Sequence, residues 1–158
     1  MNAKSGKQHQ GSAALNRKAY RDFELVEKFE AGVALLGSEV KSLRNGQADL
    51  AGSYARVEGD QCWLVGTNIA QYEQAGVHNH EPMRRRKLLL HKGEIRKIKV
   101  KLEQRGFTLV PLRIYFNEKG LAKVELALAR GKRQYDKRKT IVERTQKRDI
   151  DRGLKRYK

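Results

Sequence analysis

The clearest pattern along this chain is a set of short segments in which apolar and polar residues alternate. A period of two is typical of β-strands that bury one face and expose the other. The segments, joined by turn residues, predict about six short strands. They are "FELVEKFEAGVALLG" (23–37), "SYARVEGDQCWLVGTNI" (53–69), "FTLVPLRIYF" (107–116) and "LAKVELALA" (121–129).

Turn residues divide these segments into hairpins. The first segment predicts two strands with a bend at Ala31-Gly32, and the second predicts a hairpin that turns at Gly59-Asp60. The third and fourth form another hairpin around the turn "NEKG". Pro111 lacks an amide hydrogen, so it predicts an edge or a bulge within its strand.

Two other stretches have the spacing of helices. "SEVKSLRNG" (38–46) predicts a short helix capped by Ser38, and "KLLLHKGEIRKIKVKLEQRG" (87–106) predicts a longer one that ends at Gly106. The polar stretch between residues 70 and 86 has no period and predicts a loop. The fold expected is therefore mainly β with flanking helices.

Six strands of this length close into a small antiparallel barrel, because closure removes exposed sheet edges. We expect a barrel of the oligonucleotide-binding type over residues 14–129, after a flexible polar and basic N-terminus at residues 1–13. The remaining residues, 130–158, form a basic tail. The tail contains too few apolar residues to offset its chain entropy, so we expect it to be disordered when free.

The charge of the chain is concentrated at its two ends. The formal net charge is +17, of which residues 130–158 carry +9 and residues 1–22 carry +4. A nearly balanced body with two cationic extensions indicates a polyanionic partner, and RNA is the class expected. The basic run "RRRK" (84–87) adds a predicted phosphate contact, and Glu30 is ambiguous between a solvated side chain and an acceptor for RNA hydroxyls.

The tail has a regularity of its own. Arg144, Arg148, Arg152 and Arg156 recur at a spacing of four, which predicts one cationic stripe if the segment becomes helical between RNA walls. Tyr135 stands among cations, where an aromatic ring is suited to stack on a nucleobase.

No catalytic or metal-binding motif is present in the sequence. His78 and His80 lack a second pair of ligands, so we expect a solvated loop there, and Cys62 lies in a strand-like run typical of a buried thiol. We therefore expect neither an enzyme nor a cofactor. The sequence has no apolar run long enough for a bilayer and no leader, so we expect no membrane partner and a cytoplasmic location.

Three stretches together resemble the SsrA-binding protein (small protein B) family. They are "ALNRKAYRDFELVEKFEAGVALLGSEVKSLRNGQADL", "RRRKLLLHKGEI" and "LARGKRQYDKRKTIVER". The resemblance implies an oligonucleotide-binding-like barrel that binds the transfer-RNA-like part of transfer-messenger RNA. It also implies delivery of that RNA to stalled ribosomes for trans-translation, with the tail sensing the empty messenger channel and becoming helical there.

The same resemblance implies which residues act. Asn16, Glu30 and Leu89 match family positions implicated in RNA binding, and the segment from Gly131 onward matches the motif that acts in the decoding centre of the ribosome. Neighbouring basic residues complete both sets. The predicted RNA-binding residues are Asn16, Arg17, Lys18, Glu30, Lys87 and Leu89. The predicted ribosome-binding residues are Gly131, Lys132, Arg133, Tyr135, Asp136, Lys137, Arg138, Arg144, Arg148, Arg152 and Leu154.

Two alternatives remain open on the sequence. A ribosomal or ribosome-assembly protein would use both basic extensions to bind ribosomal RNA on every ribosome. A small RNA-processing enzyme with an unrecognised active site would instead turn over RNA.

Overall fold

The computed structural model describes residues 13–132, which contain nine strands, three α-helices and one 3₁₀ helix. The strands are β1 (Ala14–Leu15), β2 (Phe23–Val33), β3 (Ala48–Asp49), β4 (Tyr54–Glu58), β5 (Gln61–Val65), β6 (Asn68–Ile69), β7 (Arg86–Leu89), β8 (Phe107–Phe116) and β9 (Ala122–Gly131). The helices are α1 (Arg17–Asp22), α2 (Gly37–Arg44), the 3₁₀ helix (Glu73–His78) and α3 (Lys92–Leu102).

Six of the strands close into a ring in which every pairing is antiparallel. Their order is β8, β4, β5, β7, β2 and β9, and β9 pairs again with β8. The short β1 lies beside β8, while β3 and β6 form a separate pair. The prediction of six antiparallel strands that close on themselves, with flanking helices, is confirmed.

Strand β2 differs from the predicted pair of strands with a bend. It is continuous, because Gly32 pairs on one side with Leu89 of β7 and on the other with Lys123 of β9. The irregularity lies earlier, as a register shift between Leu25 and Glu27. Pairing on both sides holds the glycine in an extended conformation, so the local turn signal was misleading.

The segment "KLLL" was predicted as the start of a helix and is instead strand β7. Leu88 pairs with Cys62 of β5 and with Val33 of β2, so it is held between two neighbouring strands. The helix begins only at Lys92, after an N-cap at His91. Helical spacing of leucines does not distinguish a buried strand from a helix, which explains this wrong prediction.

Helix α2 is present where predicted, but its cap is different. The Glu39 carboxylate accepts from the amide of Leu36 (2.7 Å), while the Ser38 hydroxyl bonds Nδ1 of His80 (2.9 Å). Asn45 ends the helix and Gly46 follows at φ 70°, which confirms the predicted stop.

The interior of the ring is one apolar cluster, and α2 and α3 each contribute to it. Leu43 of α2 and Ile98 of α3 are fully buried there. A smaller cluster lies outside the ring, where Ala19 of α1 packs on Val110 of β8 and Ala127 of β9. Helix α1 therefore covers the outer side of the β8–β9 hairpin and leaves other outer faces open.

Candidate RNA-binding surface

Strands β2 and β7 bring two of the predicted RNA-binding residues onto one outer face. Gly32 of β2 lies opposite Leu89 of β7, which is 55% exposed, whereas the adjacent Leu88 is buried. Glu30 precedes Gly32 by two residues and therefore faces the same side. A Cβ on Gly32 would lie 3.2 Å from the Cβ of Leu89, so the glycine lets the leucine rest against β2.

Lys87 extends this face along β7. It precedes Leu89 by two residues, and its partner across the ladder is Trp63 of β5. The Arg85 guanidinium lies over the Trp63 ring at 5.2 Å from its centroid. Trp63 was not among the residues predicted from the sequence, although alternation with the buried Cys62 already placed its ring on the outside. The face thus combines an exposed leucine, a lysine and a half-buried indole.

Glu30 belongs to a hydrogen-bonded group of side chains on the same face. The Tyr115 hydroxyl of β8 donates to its carboxylate, and the Lys123 ammonium of β9 lies 3.5 Å away. The Tyr115 hydrogen bond, followed by the charge of Lys123, lowers the pKa of Glu30 against the opposing effect of burial. Burial and the Glu30 contact raise the pKa of Tyr115 to about 12. At neutral pH the pair is therefore a carboxylate and a protonated phenol.

A second carboxylate, Glu125 of β9, continues the group. It accepts from Arg113 Nε (2.5 Å) and forms an ion pair with Lys28 Nζ (2.9 Å). Burial raises the pKa of Glu125, but the bonds from Lys28 and Arg113 outweigh it and lower that pKa. The Arg113 guanidinium also lies over the Tyr115 ring at 4.7 Å.

These residues form one charged surface across three strands, which we call the Glu30 surface. Its members are Lys28, Glu30, Arg113, Tyr115, Lys123 and Glu125. Three cations face two carboxylates, so the net charge is +1. Of this set only Glu30 was predicted from the sequence, although strand alternation in "LRIYF" and "AKVEL" already placed Arg113, Tyr115, Lys123 and Glu125 outward.

Helix α1 borders the Glu30 surface and carries Arg17 and Lys18, both exposed. The pKa of both Lys28 and Arg113 is raised, mainly by their hydrogen bonds to Glu125, with a smaller contribution from Tyr20 of α1. Tyr20 is therefore the residue of α1 near the Glu30 surface, whereas Lys18 lines a separate cleft with Ser53, Tyr54 and Thr108.

Asn16 lies just before α1, and its side chain is buried and hydrogen-bonded to the backbone of the protein. Nδ2 donates to the carbonyls of Leu50 (3.2 Å) and Pro111 (3.0 Å), while Oδ1 accepts from the amide of Ala19 (3.1 Å). The residue is 7% exposed, and the Pro111 carbonyl it reaches lies where β8 has the predicted bulge, before Arg113. Asn16 therefore fixes the position of α1 on the ring.

Within the basic run 84–87, the structure contradicts the predicted phosphate contact for Arg86, while Arg84, Arg85 and Lys87 are at least partly exposed. Arg86 is fully buried and donates from Nε to Glu39 (2.8 Å), and Arg84 donates from Nε (2.7 Å) and Nη2 (2.5 Å) to the same carboxylate. Arg85 donates to Glu58 (2.6 Å). Within residues 13–132, Lys87 is the member of the run without an ion pair.

Glu39 is the centre of this buried group. Burial raises its pKa, but the bonds from Arg84, Leu36 and Arg86 outweigh burial and lower the pKa. Burial lowers the pKa of Arg86, against the opposing charge of Glu39. The group joins α2 to the start of β7 and so helps to set the position of Lys87 and Leu89.

His78 is exposed, as predicted for a solvated loop, whereas His80 differs from that prediction. His80 is buried, and its Nε2 lies 3.0 Å from the carbonyl of Ile69. No group of three potential metal ligands occurs in the described part of the chain, residues 13–132. Cys62 is a buried free thiol, as predicted, and burial raises its pKa to about 11.

The first three residues of the predicted tail, 130–132, are held to the ring, and Arg130 pairs with Glu24 of β2. Gly131 still pairs with Phe23 in the ladder between β9 and β2, and the Lys132 amide donates to the carbonyl of Asp22 (3.0 Å). Gly131 and Lys132 are thus tied to the ring. The other predicted ribosome-binding residues lie outside the described residues: Arg133, Tyr135, Asp136, Lys137, Arg138, Arg144, Arg148, Arg152 and Leu154.

Comparison with known proteins decides the family. Residues 13–156 match the family model described as SmpB protein. This chain belongs to the SmpB family. A family member from Allorhizobium ampelinum, the SsrA-binding protein, is 54% identical over 142 residues, which cover 90% of each chain. The SsrA-binding protein of Moorella thermoacetica is 53% identical over 140 residues, covering 89% of this chain and 90% of the other.

A solved SmpB structure supports the same assignment. It is described as "tmRNA-SmpB: a journey to the center of the bacterial ribosome" and is 52% identical, with a TM-score of 0.66. The match covers 80% of this chain and 92% of the other. Among residues 13–132, no helix is long and apolar enough to cross a membrane.

Proposed function

We propose that this chain binds transfer-messenger RNA and acts with it on the ribosome in trans-translation, the tagging of unfinished peptides and rescue of stalled ribosomes. The observation that carries the proposal is membership of the SmpB family across residues 13–156. The name of its relatives, SsrA-binding protein, and the description of the solved structure as tmRNA-SmpB in the ribosome support both partners.

The ring supplies the RNA-binding part of this function. A folded RNA is recognised by shape and by its 2′-hydroxyls, and a face that carries both cations and carboxylates offers partners for phosphates and hydroxyls together. The Glu30 surface has this composition, and Leu89 and Lys87 lie at its side on β7. Arg17 and Lys18 are exposed on α1 and add phosphate contacts there, while Asn16 positions the helix that carries them.

The C-terminal tail supplies the ribosomal part. Residues 133–158 contain eleven Lys or Arg and four Asp or Glu, which suits a segment enclosed by RNA. Gly131 and Lys132 form the root of the tail, and Tyr135 stacks on a base of the decoding centre. The chain acts by binding and has no catalytic activity of its own, in the cytoplasm, where ribosomes translate.

A truncation separates the two parts. A chain that ends at Lys132 keeps the full β9 ladder, so it should bind transfer-messenger RNA with nearly the affinity of the full chain. It should fail in peptide tagging on ribosomes stalled at the end of a messenger. Equal loss of binding and tagging would overturn this division of function.

Sequencing the RNA that co-purifies with the protein from cells tests the function itself. One dominant structured small RNA is expected. Uniform recovery of ribosomal RNA from all ribosomes would instead favour a constitutive ribosomal protein, and turnover of labelled RNA by the purified chain would favour an enzyme.

A further inference from the structure

On the outer face of β4, β5 and β7, an aromatic side chain lies between two cations. Trp63 of β5 is the only tryptophan of the chain, and its partners across the two ladders are Arg56 of β4 and Lys87 of β7. Alternation with buried residues in each strand places all three outward. Residues directly opposite each other on neighbouring antiparallel strands have Cβ atoms about 4.5–5.5 Å apart. The indole is therefore the centre of a row that crosses three strands.

A guanidinium group is fixed over this indole. The Arg85 guanidinium lies over the Trp63 ring at 5.2 Å from its centroid, and its Nη2 donates to Glu58 (2.6 Å). Glu58 also forms an ion pair with Arg56. The hydrogen bond from Arg85 lowers the pKa of Glu58, so the carboxylate stays charged at neutral pH. Arg85 is thus held by a ring and a carboxylate, yet its side chain is 48% exposed, which leaves a flat cationic group open to a ligand.

A second aromatic ring extends this face toward α1. Tyr54 precedes Arg56 by two residues on β4, so its side chain points to the same side of the sheet, and it is 41% exposed. Tyr54 also lines a cleft of about 430 Å³ beside α1, to which Lys18 contributes. Because the strand order is β8, β4, β5 and β7, Lys18 and Lys87 lie at opposite ends of one outer path, with both rings between them.

We call this set the Trp63 surface, and its members are Tyr54, Arg56, Glu58, Trp63, Arg85 and Lys87. It is separate from the Glu30 surface, which lies on β2, β8 and β9. Three cations face one carboxylate, so its net charge is +2. Unpaired nucleobases stack on aromatic rings and on guanidinium planes while nearby cations neutralise their phosphates. A double helix keeps its base faces inside the stack, so the composition of the Trp63 surface fits unpaired nucleotides better than a duplex.

We propose that the Trp63 surface binds unstacked nucleotides of a single-stranded segment of transfer-messenger RNA, with one base on the Arg85 guanidinium and another on the Tyr54 ring. The inference rests on the proposed function, under which this RNA contacts Lys87, the ladder partner of Trp63. Lys87 and Arg56 contact the phosphates on either side of the bases. The indole beneath Arg85 and the carboxylate of Glu58 hold the guanidinium in place before the RNA arrives, so little side-chain entropy is lost on binding.

The substitution Arg85→Lys in the full chain separates stacking from charge. Lysine keeps the positive charge and still reaches a carboxylate, but it has no planar group on which a base can stack. The matched control is Arg105→Lys, because Arg105 is an exposed arginine in the turn after α3 and outside the Trp63 surface. Thermal unfolding of both variants should match that of the wild type, since both positions are exposed.

The first assay measures the affinity for transfer-messenger RNA at several salt concentrations. A stacked base contributes about fivefold or more to affinity, so Arg85→Lys should weaken binding by about that factor. Its slope of log affinity against log salt should equal that of the wild type, because no charge is lost. Lys87→Gln should instead reduce the slope by about one, as expected for a lost phosphate contact. Arg105→Lys should change neither the affinity nor the slope.

The second assay follows the fluorescence of Trp63. Because the chain has no other tryptophan, indole emission reports on this surface alone. A base stacked over Arg85 excludes water from the indole, so saturating transfer-messenger RNA should shift the emission of the wild type to shorter wavelength. A fully base-paired RNA duplex, used as the comparison ligand, should leave the emission unchanged.

Other results would overturn the inference. Unchanged emission at saturation would show that transfer-messenger RNA does not reach the Trp63 surface, and an equal shift with the duplex would leave phosphate contacts alone. Wild-type affinity of Arg85→Lys would reduce the contact between Arg85 and Trp63 to a stabilising pair on the sheet, and an equal loss in Arg105→Lys would remove its specificity. Failure of the wild type to bind transfer-messenger RNA would instead contradict the proposed function.

Discussion

Glu39→Gln removes the negative charge that faces the buried guanidinium of Arg86 while keeping the size of the side chain. Glu39 accepts four hydrogen bonds, one from the Leu36 amide, two from Arg84 and one from Arg86, at 2.5–2.8 Å. Removing one partner of a buried ion pair costs about 3–5 kcal/mol, because the other charge stays buried without compensation.

The lower end of that range is expected here. Arg86 keeps its bonds to the carbonyls of Thr67 (2.7 Å) and Pro82 (2.9 Å), and Arg84 is partly exposed and regains water. A loss of about 3 kcal/mol in unfolding free energy corresponds to a decrease in Tm of roughly 10–15 °C for a domain of this size.

Thermal unfolding followed by circular dichroism measures the effect. Glu81→Gln is the matched control, because Glu81 is an exposed carboxylate in the loop that precedes β7. Its substitution should change the free energy of unfolding by less than about 0.5 kcal/mol. A Tm for Glu39→Gln within about 2 °C of the wild type would refute the reasoning that this carboxylate compensates Arg86.

The pH dependence gives a second readout of the same group. The folded pKa of Glu39 is lowered, so its contribution to stability is complete above the unfolded pKa and is lost as pH falls through the folded pKa. The difference in stability between wild type and Glu39→Gln should therefore narrow in acid. If the difference in unfolding free energy between the two proteins stays constant down to the lowest pH measured, the effect of the substitution comes from packing instead.

The remaining predictions concern Glu30, the neighbouring leucines of β7 and Tyr135. Glu30→Gln should lower the pKa of Tyr115 from about 12 toward its ordinary value, because the acceptor charge is removed while burial remains. Ultraviolet absorbance of the phenolate measures this pKa. An unchanged titration of Tyr115 would contradict its contact with Glu30. Leu89→Ala should weaken binding to transfer-messenger RNA while costing less than about 1 kcal/mol of stability, since the side chain is 55% exposed. The buried neighbour provides the contrast, as Leu88→Ala should cost about 2–5 kcal/mol; similar melting of the two variants would be inconsistent with their opposite orientations. Tyr135→Ala should impair peptide tagging more than Tyr135→His, because a stacked base contact is worth about 1–3 kcal/mol and histidine retains a ring. Wild-type tagging by Tyr135→Ala would remove the stacking role.

Short sequence patterns predicted secondary structure correctly where the strands that pair with a segment favour the same conformation as its own residues. The hairpin at Gly59-Asp60 was predictable because the two strands it joins pair directly, and Gly59 supplies the positive φ of 61° that the turn needs. The bulge at Pro111 was predictable because proline cannot donate to a ladder. The same reasoning failed for "KLLL", whose leucines satisfy either a helix or a strand until partners on both sides select one.

The sequence predicted least well which individual charged residues are exposed and which form ion pairs. The run at 84–87 has the composition of an exposed phosphate contact, yet Arg84 and Arg86 reach across 45 and 47 positions to one carboxylate on α2. Such an ion pair between distant residues cannot be predicted from the spacing of residues in the sequence.

By itself the sequence determined the antiparallel β character of the fold, the polyanionic character of the partner and the family, because these depend on periodicity, total charge and motif order. The predicted number of ring strands agreed only because the division of β2 into two strands offset the missed strand β7. Only the tertiary structure decided which residues of neighbouring strands come together on one outer face, which arginines are ion-paired and how residues 130–132 are held to the ring. Those properties depend on strand register, since a shift of one residue exchanges the inner and outer faces, and on ion pairs between residues distant in the chain.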